Sequence, residues 1–385
     1  MLGSFRVRTP DWILFGFDTI RQVGAEARRL GAGRVMLLTD PGVAKAGLLD
    51  PVYESLKGEG LEYDIFDTVE PEPSIQNLLE ASKMAKEGKF DVFVAVGGGS
   101  SMDTTKVVSA MMTNEGDVQD FFGVDNVPRR GLPTIMVTTT SGTGSEVTRM
   151  AVFTDKAVNL KRVVSAQNIL ADVAIVDPNM TLSKPQAVTA ATGIDAFIHA
   201  VEAYVAVSAS PLTDTIALEA TKLVAENLGP AFANGNDMTA RYNMALGSFM
   251  AGISLNNAGV GAVHALAYPI GAEYHLSHGL ALIVIFAETM RSISISCLPK
   301  FRKLAEAMGV DVQGLTPWEA ADEAVAGMSE LARMVGLPTT LSEVGGDQAK
   351  IAEWAKAAHG EQRLLGNTPR TLSVEDVADI FKKSF

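Results

Sequence analysis

Short apolar runs and amphipathic stretches alternate along the first half of the chain, and from about residue 180 the strand-like runs give way to long helical segments. Within residues 34–40 (RVMLLTD) positions 35–38 are hydrophobic in succession, the pattern of a strand covered on both faces, and the run ends at the turn pair Pro41-Gly42. Residues 63–66, 91–96, 134–137 and 173–178 give further strand signals. Between them, 47–58 reads as a helix and 74–86 as an amphipathic helix with Ser74 as its N-cap. Strands alternating with helices predict an α/β domain with a doubly wound, mostly parallel sheet.

Past residue 180 the texture is Ala-rich and helical. Helices are expected over 185–207, 211–229, 238–258, 261–272, 278–292, 298–308, 315–335, 347–358 and 373–383. The chain therefore divides into an α/β domain over 1–180 and an all-α domain over 181–385, a division that its 385 residues can support with sizeable cores.

Composition narrows the function more than the fold. The balance of 45 acidic against 32 basic residues, net −13, argues against a nucleic-acid or anionic-membrane surface, while leaving room for a local basic pocket. No run approaches 18 apolar residues, so no transmembrane helix is expected, and 280–287 reads as a core helix. The first 15 residues lack the pattern of a signal peptide. The single cysteine, Cys297, can make no internal disulfide and fits a reducing cytoplasm.

Candidate chemistry gathers in two places. Four of the five histidines fall between 199 and 278. Asp195 and His199 are four apart in a helical stretch and so leave one face, and His264 and His278 lie on later segments. A carboxylate with imidazoles and no cysteine suits Fe(II) or Zn(II) with a position open for substrate. Spacing alone leaves a second reading equally open: a polar Asp/His pair, a core histidine at 264 and a helix-capping one at 278. The other place is Gly97-Gly98-Gly99-Ser100, running straight from a strand into a helix, with Thr138–Glu146 after another strand. Such loops let backbone N–H groups approach a pyrophosphate, although a turn needing positive φ accounts for the glycines as well. Asp40, closing an earlier strand, suits an adenosine ribose and repels a 2′-phosphate, which favours NAD over NADP.

Taken together, these segments resemble the iron-containing (group III) alcohol dehydrogenases. The resemblance is carried by GGGSSMD at 97–103, TTSGTGSE at 139–146, GIDAFIHAVE at 193–202, HALAYP at 264–269 through His278-Gly279, and GNTPR at 366–370. It covers nearly the full length in the family's order. It implies a dehydroquinate-synthase-like two-domain architecture, with the metal, Fe(II) or alternatively Zn(II), on Asp195, His199, His264 and His278. It implies NAD contacts from Asp40, Gly98, Gly99, Ser100, Asp103, Thr139, Thr140, Thr143, Ser145 and Lys161, and from the segment 179–183 that includes Met180. Where many members carry a second histidine one turn after His264, this chain has Tyr268, and His275 stands three residues before His278, where many have another residue. Tyr268 and His275 are therefore the candidates for proton transfer.

The expected activity is metal-assisted hydride transfer between NAD(H) and a small primary alcohol or aldehyde in a homo-oligomer, a dimer or larger. A hydroxyacid–oxoacid transhydrogenase that retains its nicotinamide is the alternative. A metal- and NAD-dependent lyase of the dehydroquinate-synthase type stands third, because the Asp/His₃ set favours the first two.

Overall fold

The computed structural model describes residues 4–156 and 160–385, which cluster into two compact units, one of them Arg8–Ser183 and the other containing Lys184–Phe385. Each unit follows from a different hydrophobic period.

In Arg8–Ser183 the strands are β1 (Trp12–Phe15), β2 (Arg34–Thr39), β3 (Glu62–Phe66), β4 (Val92–Gly97), β5 (Gly123–Val124), β6 (Thr134–Thr138), β7 (Met150–Asp155), β8 (Leu160–Ser165) and β9 (Val173–Val176). Six of them make one wholly parallel sheet in the order β1-β9-β6-β4-β2-β3. Side chains alternate between its faces, and both faces are covered. Val35, Leu37, Val94, Val96, Val137 and Ile175 pack with helices Val23–Arg29 and Asp50–Gly58. Met36, Leu38 and Phe93 pack the other way, with helices Ile75–Gly88 and Gly99–Met111. Each fully buried aliphatic side chain of this kind contributes about 1.5–3 kcal/mol relative to exposure. Ser74 does cap its helix, accepting from Asn77 N at 3.2 Å.

The winding reverses between β2 and β4: the chain leaves β2 for β3 on one side and returns to β4 on the other. The carboxyl ends of strands at such a reversal are where α/β sheets bind ligands. Asp40 and Gly98 stand at those two ends. The smaller sheet, β5-β8-β7, contains an antiparallel pair and makes the unit less uniformly parallel than its main sheet.

Among the described residues of Lys184–Phe385 there is no strand. Helices Gln186–Val205, Pro211–Ala233 and Met238–Ala258 meet at Ala200, Ala220 and Ala251, all fully buried, where the small side chains let the helices approach. Ser210, Asp237, Thr316 and Ser373 cap four helix N-termini with side-chain oxygens. Among the described residues no helix is long and apolar enough to cross a membrane.

Candidate metal centre and nucleotide loops

Helix Gln186–Val205 presents Asp195 and His199 one turn apart on a single face. His264 is the third residue of helix Ala262–Tyr274, and His278 opens helix His278–Ser294. The start of that last helix can come close because Gly279 has no side chain: a Cβ there would stand 2.4 Å from the Ala191 carbonyl oxygen. The result is that one donor atom from each of Asp195, His199, His264 and His278 lies within 4.8 Å of every other.

Asp195 Oδ1 is 3.5 Å from His199 Nε2 and 3.8 Å from His278 Nε2. Ligands about 2.1 Å from one metal in a tetrahedron stand about 3.4 Å apart, so these separations fit donors sharing an ion better than hydrogen bonds. The rings of His199 and His264 lie 5.1 Å apart, and those of His264 and His278 5.3 Å. Asp195, His199 and His264 are buried, whereas the His278 side chain is 44% exposed. Asp195 Oδ1 is buried and accepts no hydrogen bond from the described residues. An acceptor left so costs about 1–3 kcal/mol, which a bound cation offsets. Burial pushes the Asp195 carboxyl up against the pull of His278 and His264. Burial also drives His264 down to about 4, leaving a neutral imidazole with a lone pair at neutral pH. The donor chemistry therefore fits a divalent cation.

Glu202 belongs to this region and went unassigned by spacing. It is 2% exposed and hydrogen-bonded through Oε2 to His264 Nδ1. Its Oε1 accepts from Gly261 N at 3.1 Å and Val263 N at 2.9 Å. Burial pushes its carboxyl up to about 7. The available signal was position: Glu202 follows His199 by three residues and shares its helix face.

The two proton-transfer candidates separate. Tyr268 lies one turn beyond His264, partly buried, with burial pushing its phenol up to about 12. His275 is exposed and outside the four-residue cluster. It ends helix Ala262–Tyr274 at φ 51°, ψ 37°, in the left-handed region.

In the other unit, the loops after β4 and β6 lie side by side. Thr139 N donates to Gly97 O at 2.9 Å. A Cβ on Gly98 would stand 3.2 Å from Thr140 Cγ2, and one on Gly99 3.0 Å from Thr143 Cγ2, so these two glycines allow the loops to touch. Gly98 is the N-cap residue of helix Gly99–Met111. The Thr140 hydroxyl is buried with no hydrogen-bond partner among the described residues, and Thr143 Oγ1 accepts from Ser145 N at 3.2 Å. Asp40 Oδ1 accepts from Gly42 N and Val43 N at 2.9 and 3.0 Å, and its Oδ2 would lie 3.3 Å from a Cβ on Gly97.

Other assigned residues turn inward. Asp103 accepts from Ser145 Oγ at 2.6 Å and Val152 N at 2.9 Å, so both its oxygens are engaged within the protein. Met180 packs into the core of the unit. Lys161 pairs with Glu72 Oε2 at 2.7 Å, and Glu72 N donates to Ser100 Oγ at 3.2 Å, so Lys161 reaches the glycine loop through one intermediary. Lys106 and Glu146 were not anticipated. Both are buried, and burial lowers the lysine and pushes the glutamic acid up to about 7.

Residues 10–178 match the model described as iron-containing alcohol dehydrogenase, and residues 189–385 match that of the C-terminal part of the Fe-containing alcohol dehydrogenase family. Over 383 residues the chain is 39% identical to long-chain-alcohol dehydrogenase 1 of Geobacillus thermodenitrificans, spanning 99% of this chain and 96% of that protein. It is 36% identical to the NAD-dependent methanol dehydrogenase of Bacillus methanolicus, over 97% of this chain and 98% of the other. Among solved structures, a 1,3-propanediol oxidoreductase superposes with a TM-score of 0.96 at 36% identity, covering 100% of both chains.

Proposed function

The chain belongs to the iron-containing alcohol dehydrogenase family, and from that premise we propose that it is an NAD-dependent alcohol dehydrogenase and aldehyde reductase acting on small primary alcohols and aldehydes. Asp195, His199, His264 and His278 hold its metal in this reading. Fe(II) is the ion the family name implies, with Zn(II) admitted by the same donors. The observation that carries the reading is the meeting of four donors from three helices within 4.8 Å, around a buried Asp195 oxygen that accepts no hydrogen bond.

A divalent metal at these donors supplies Lewis acidity, lowering the pKa of a substrate hydroxyl and polarising an aldehyde carbonyl. The chain's own part is orientation and proton handling. Buried Asp195, His199 and His264 fix the donor positions, and a neutral His264 offers its lone pair without competing for a proton. Tyr268, with its phenol up at about 12, stays a neutral hydroxyl across the working pH range and can pass a proton only as a hydrogen-bonding relay. The loops at Gly98 and Thr139–Ser145, with Asp40 beside them, take the NAD, and Asp40 discriminates against a 2′-phosphate. Asp103 acts in this reading by holding Ser145.

A cytoplasmic location accords with the lone Cys297, and the homo-oligomer, dimeric or larger, is what the family resemblance implies. Tyr268, at the position where many family members have histidine, is the feature that keeps a hydroxyacid–oxoacid transhydrogenase as the second reading.

The test is a panel of alcohols and aldehydes assayed with added NAD(H) on protein reconstituted separately with Fe(II) and Zn(II). Metal-dependent turnover of free NAD is expected. Hydride exchange between a hydroxy acid and an oxo acid without turnover of added NAD would replace this reading with the transhydrogenase one.

A further inference from the structure

We propose that Glu202 is a positioning residue of the metal centre. It holds His264 in the tautomer protonated on Nδ1, leaving the Nε2 lone pair for the metal that Asp195, His199 and His278 would share. The inference rests on reading those four residues as metal ligands.

Three hydrogen-bonding nitrogens converge on one carboxylate. Two are backbone N–H groups, Gly261 and Val263, at 3.1 and 2.9 Å from Oε1, and they can only donate. Oε1 is therefore an acceptor whatever the state of the imidazole. Oε2 meets His264 Nδ1, and the ionised carboxylate, which can only accept, selects the N–H form of that nitrogen. The other ring nitrogen then carries the lone pair a metal needs.

Placement supports the role. Asp195, His199 and Glu202 follow one another at spacings of four and three on helix Gln186–Val205, so they share a face. That one helix provides two donors directly and orients a third through Glu202. The bonds to Gly261 and Val263 also fix where helix Ala262–Tyr274 begins, and with it the position of His264 two residues into that helix. The close fit leaves no slack at the turn: a Cβ on Gly261 would stand 2.9 Å from Thr368 Oγ1 and 3.5 Å from Glu202 Oε1.

Glu202→Gln is a near-isosteric test with a defined consequence. A glutamine cannot serve both sides as acceptor. With its carbonyl on the backbone N–H groups, its amide points at His264 Nδ1 and selects the opposite tautomer. With the amide reversed, two backbone donors face an NH₂ group. Co(II) affinity of the apoprotein, measured by chelator competition, should weaken about 10- to 100-fold, with an altered Co(II) absorption spectrum. His199→Ala is run beside it. If His199→Ala binds Co(II) as the wild type does, the metal-site reading falls. If His199→Ala loses Co(II) while Glu202→Gln keeps wild-type affinity and spectrum, the metal site stands and the role of Glu202 falls. Should Glu202→Gln not fold, ¹⁵N shifts of histidines in the wild-type apoprotein decide: His264 protonated on Nδ1 is expected, and protonation on Nε2 alone would overturn the proposal.

Discussion

Lys106 Nζ donates to Ser145 Oγ across 2.7 Å, and both side chains are buried. The bond ties the helix that follows the glycine turn to the loop that follows β6. Lys106 also donates to Met150 O at 2.8 Å and stands 3.6 Å from Asp103 Oδ1, while Asp103 accepts from the same Ser145 hydroxyl. Lysine, aspartate and serine thus form one closed set beneath the proposed nucleotide loops.

Removing the cation should be costly. Lys106→Met leaves Asp103, whose side chain is only 13% exposed, without its counter-charge, a change expected to destabilise the fold by about 3–5 kcal/mol. Urea unfolding of wild type and variant reads this directly. Equal midpoints and slopes would mean that Asp103 is neutralised by other means.

Glu146 gives the fold a pH dependence of definite sign. Its carboxyl is pushed up to about 7, chiefly by burial, and its Oε2 has no hydrogen-bond partner among the described residues. In the unfolded chain it ionises near 4.5. Between these values the folded state binds more protons than the unfolded one, so this group's contribution to stability falls as pH rises from about 4.5 to about 7 and then levels off. Across that window Glu146→Gln should gain on the wild type by about 2–3 kcal/mol. Denaturant melts of both proteins at pH 5, 6, 7 and 8 measure it, and a difference that stays constant with pH would contradict the assignment.

What the sequence made legible follows from burial. β2, β4, β6 and β9 are covered on both faces and spell continuous apolar runs, so they could be read directly. β8 begins with exposed Leu160, Lys161 and Arg162, and β7 alternates buried with partly buried residues, so this hairpin gave no comparable signal. β1 (WILF) sits at the sheet edge, only partly buried. The histidines stood out because the chain has few, whereas a glutamate on a helix is ordinary, and only its contacts with Gly261, Val263 and His264 distinguish Glu202. Asp103 was assigned to the cofactor from its motif, whereas it lies in helix Gly99–Met111 with one oxygen on Val152 N, 49 residues away, a pairing that no local pattern announces.

The four metal candidates should not respond alike. His264→Ala empties a buried position and strips Glu202 of its partner, so loss of metal should come with a loss of stability of about 2–5 kcal/mol. His278→Ala removes a side chain that is 44% exposed, so metal should be lost with little change in stability. Elemental analysis of the two metal-loaded variants and thermal melts of their apoproteins give both readings. Full metal content in either variant would remove that histidine from the set.

Cofactor choice is expected to turn on charge at Asp40. Because Oδ1 caps the helix Pro41–Lys45, Asp40→Gly would confuse a lost cap with a lost charge. Asp40→Asn keeps a capping oxygen and removes the charge. Its kcat/KM with NADP, relative to NAD, should rise at least about tenfold, corresponding to about 1.4 kcal/mol of relieved repulsion. A wild type that uses both cofactors equally would leave Asp40 as a helix cap only.

His275 permits its two roles to be separated by a pair of substitutions. A non-glycine residue held in the left-handed region costs about 1 kcal/mol, and His275 sits there at φ 51° where helix Ala262–Tyr274 ends. His275→Gly should therefore stabilise the protein by about 1 kcal/mol, and His275→Gln, which keeps the strain, should not. Proton transfer sorts the variants differently, because neither glycine nor glutamine carries a group that titrates near neutral pH. If His275 acts only as the helix end, both variants keep wild-type kcat and only the glycine variant is more stable. That is the outcome its exposed position supports. A fall in kcat of about 10²-fold in both, with metal content unchanged and the acid limb of the pH–rate profile flattened, would instead assign it the relay.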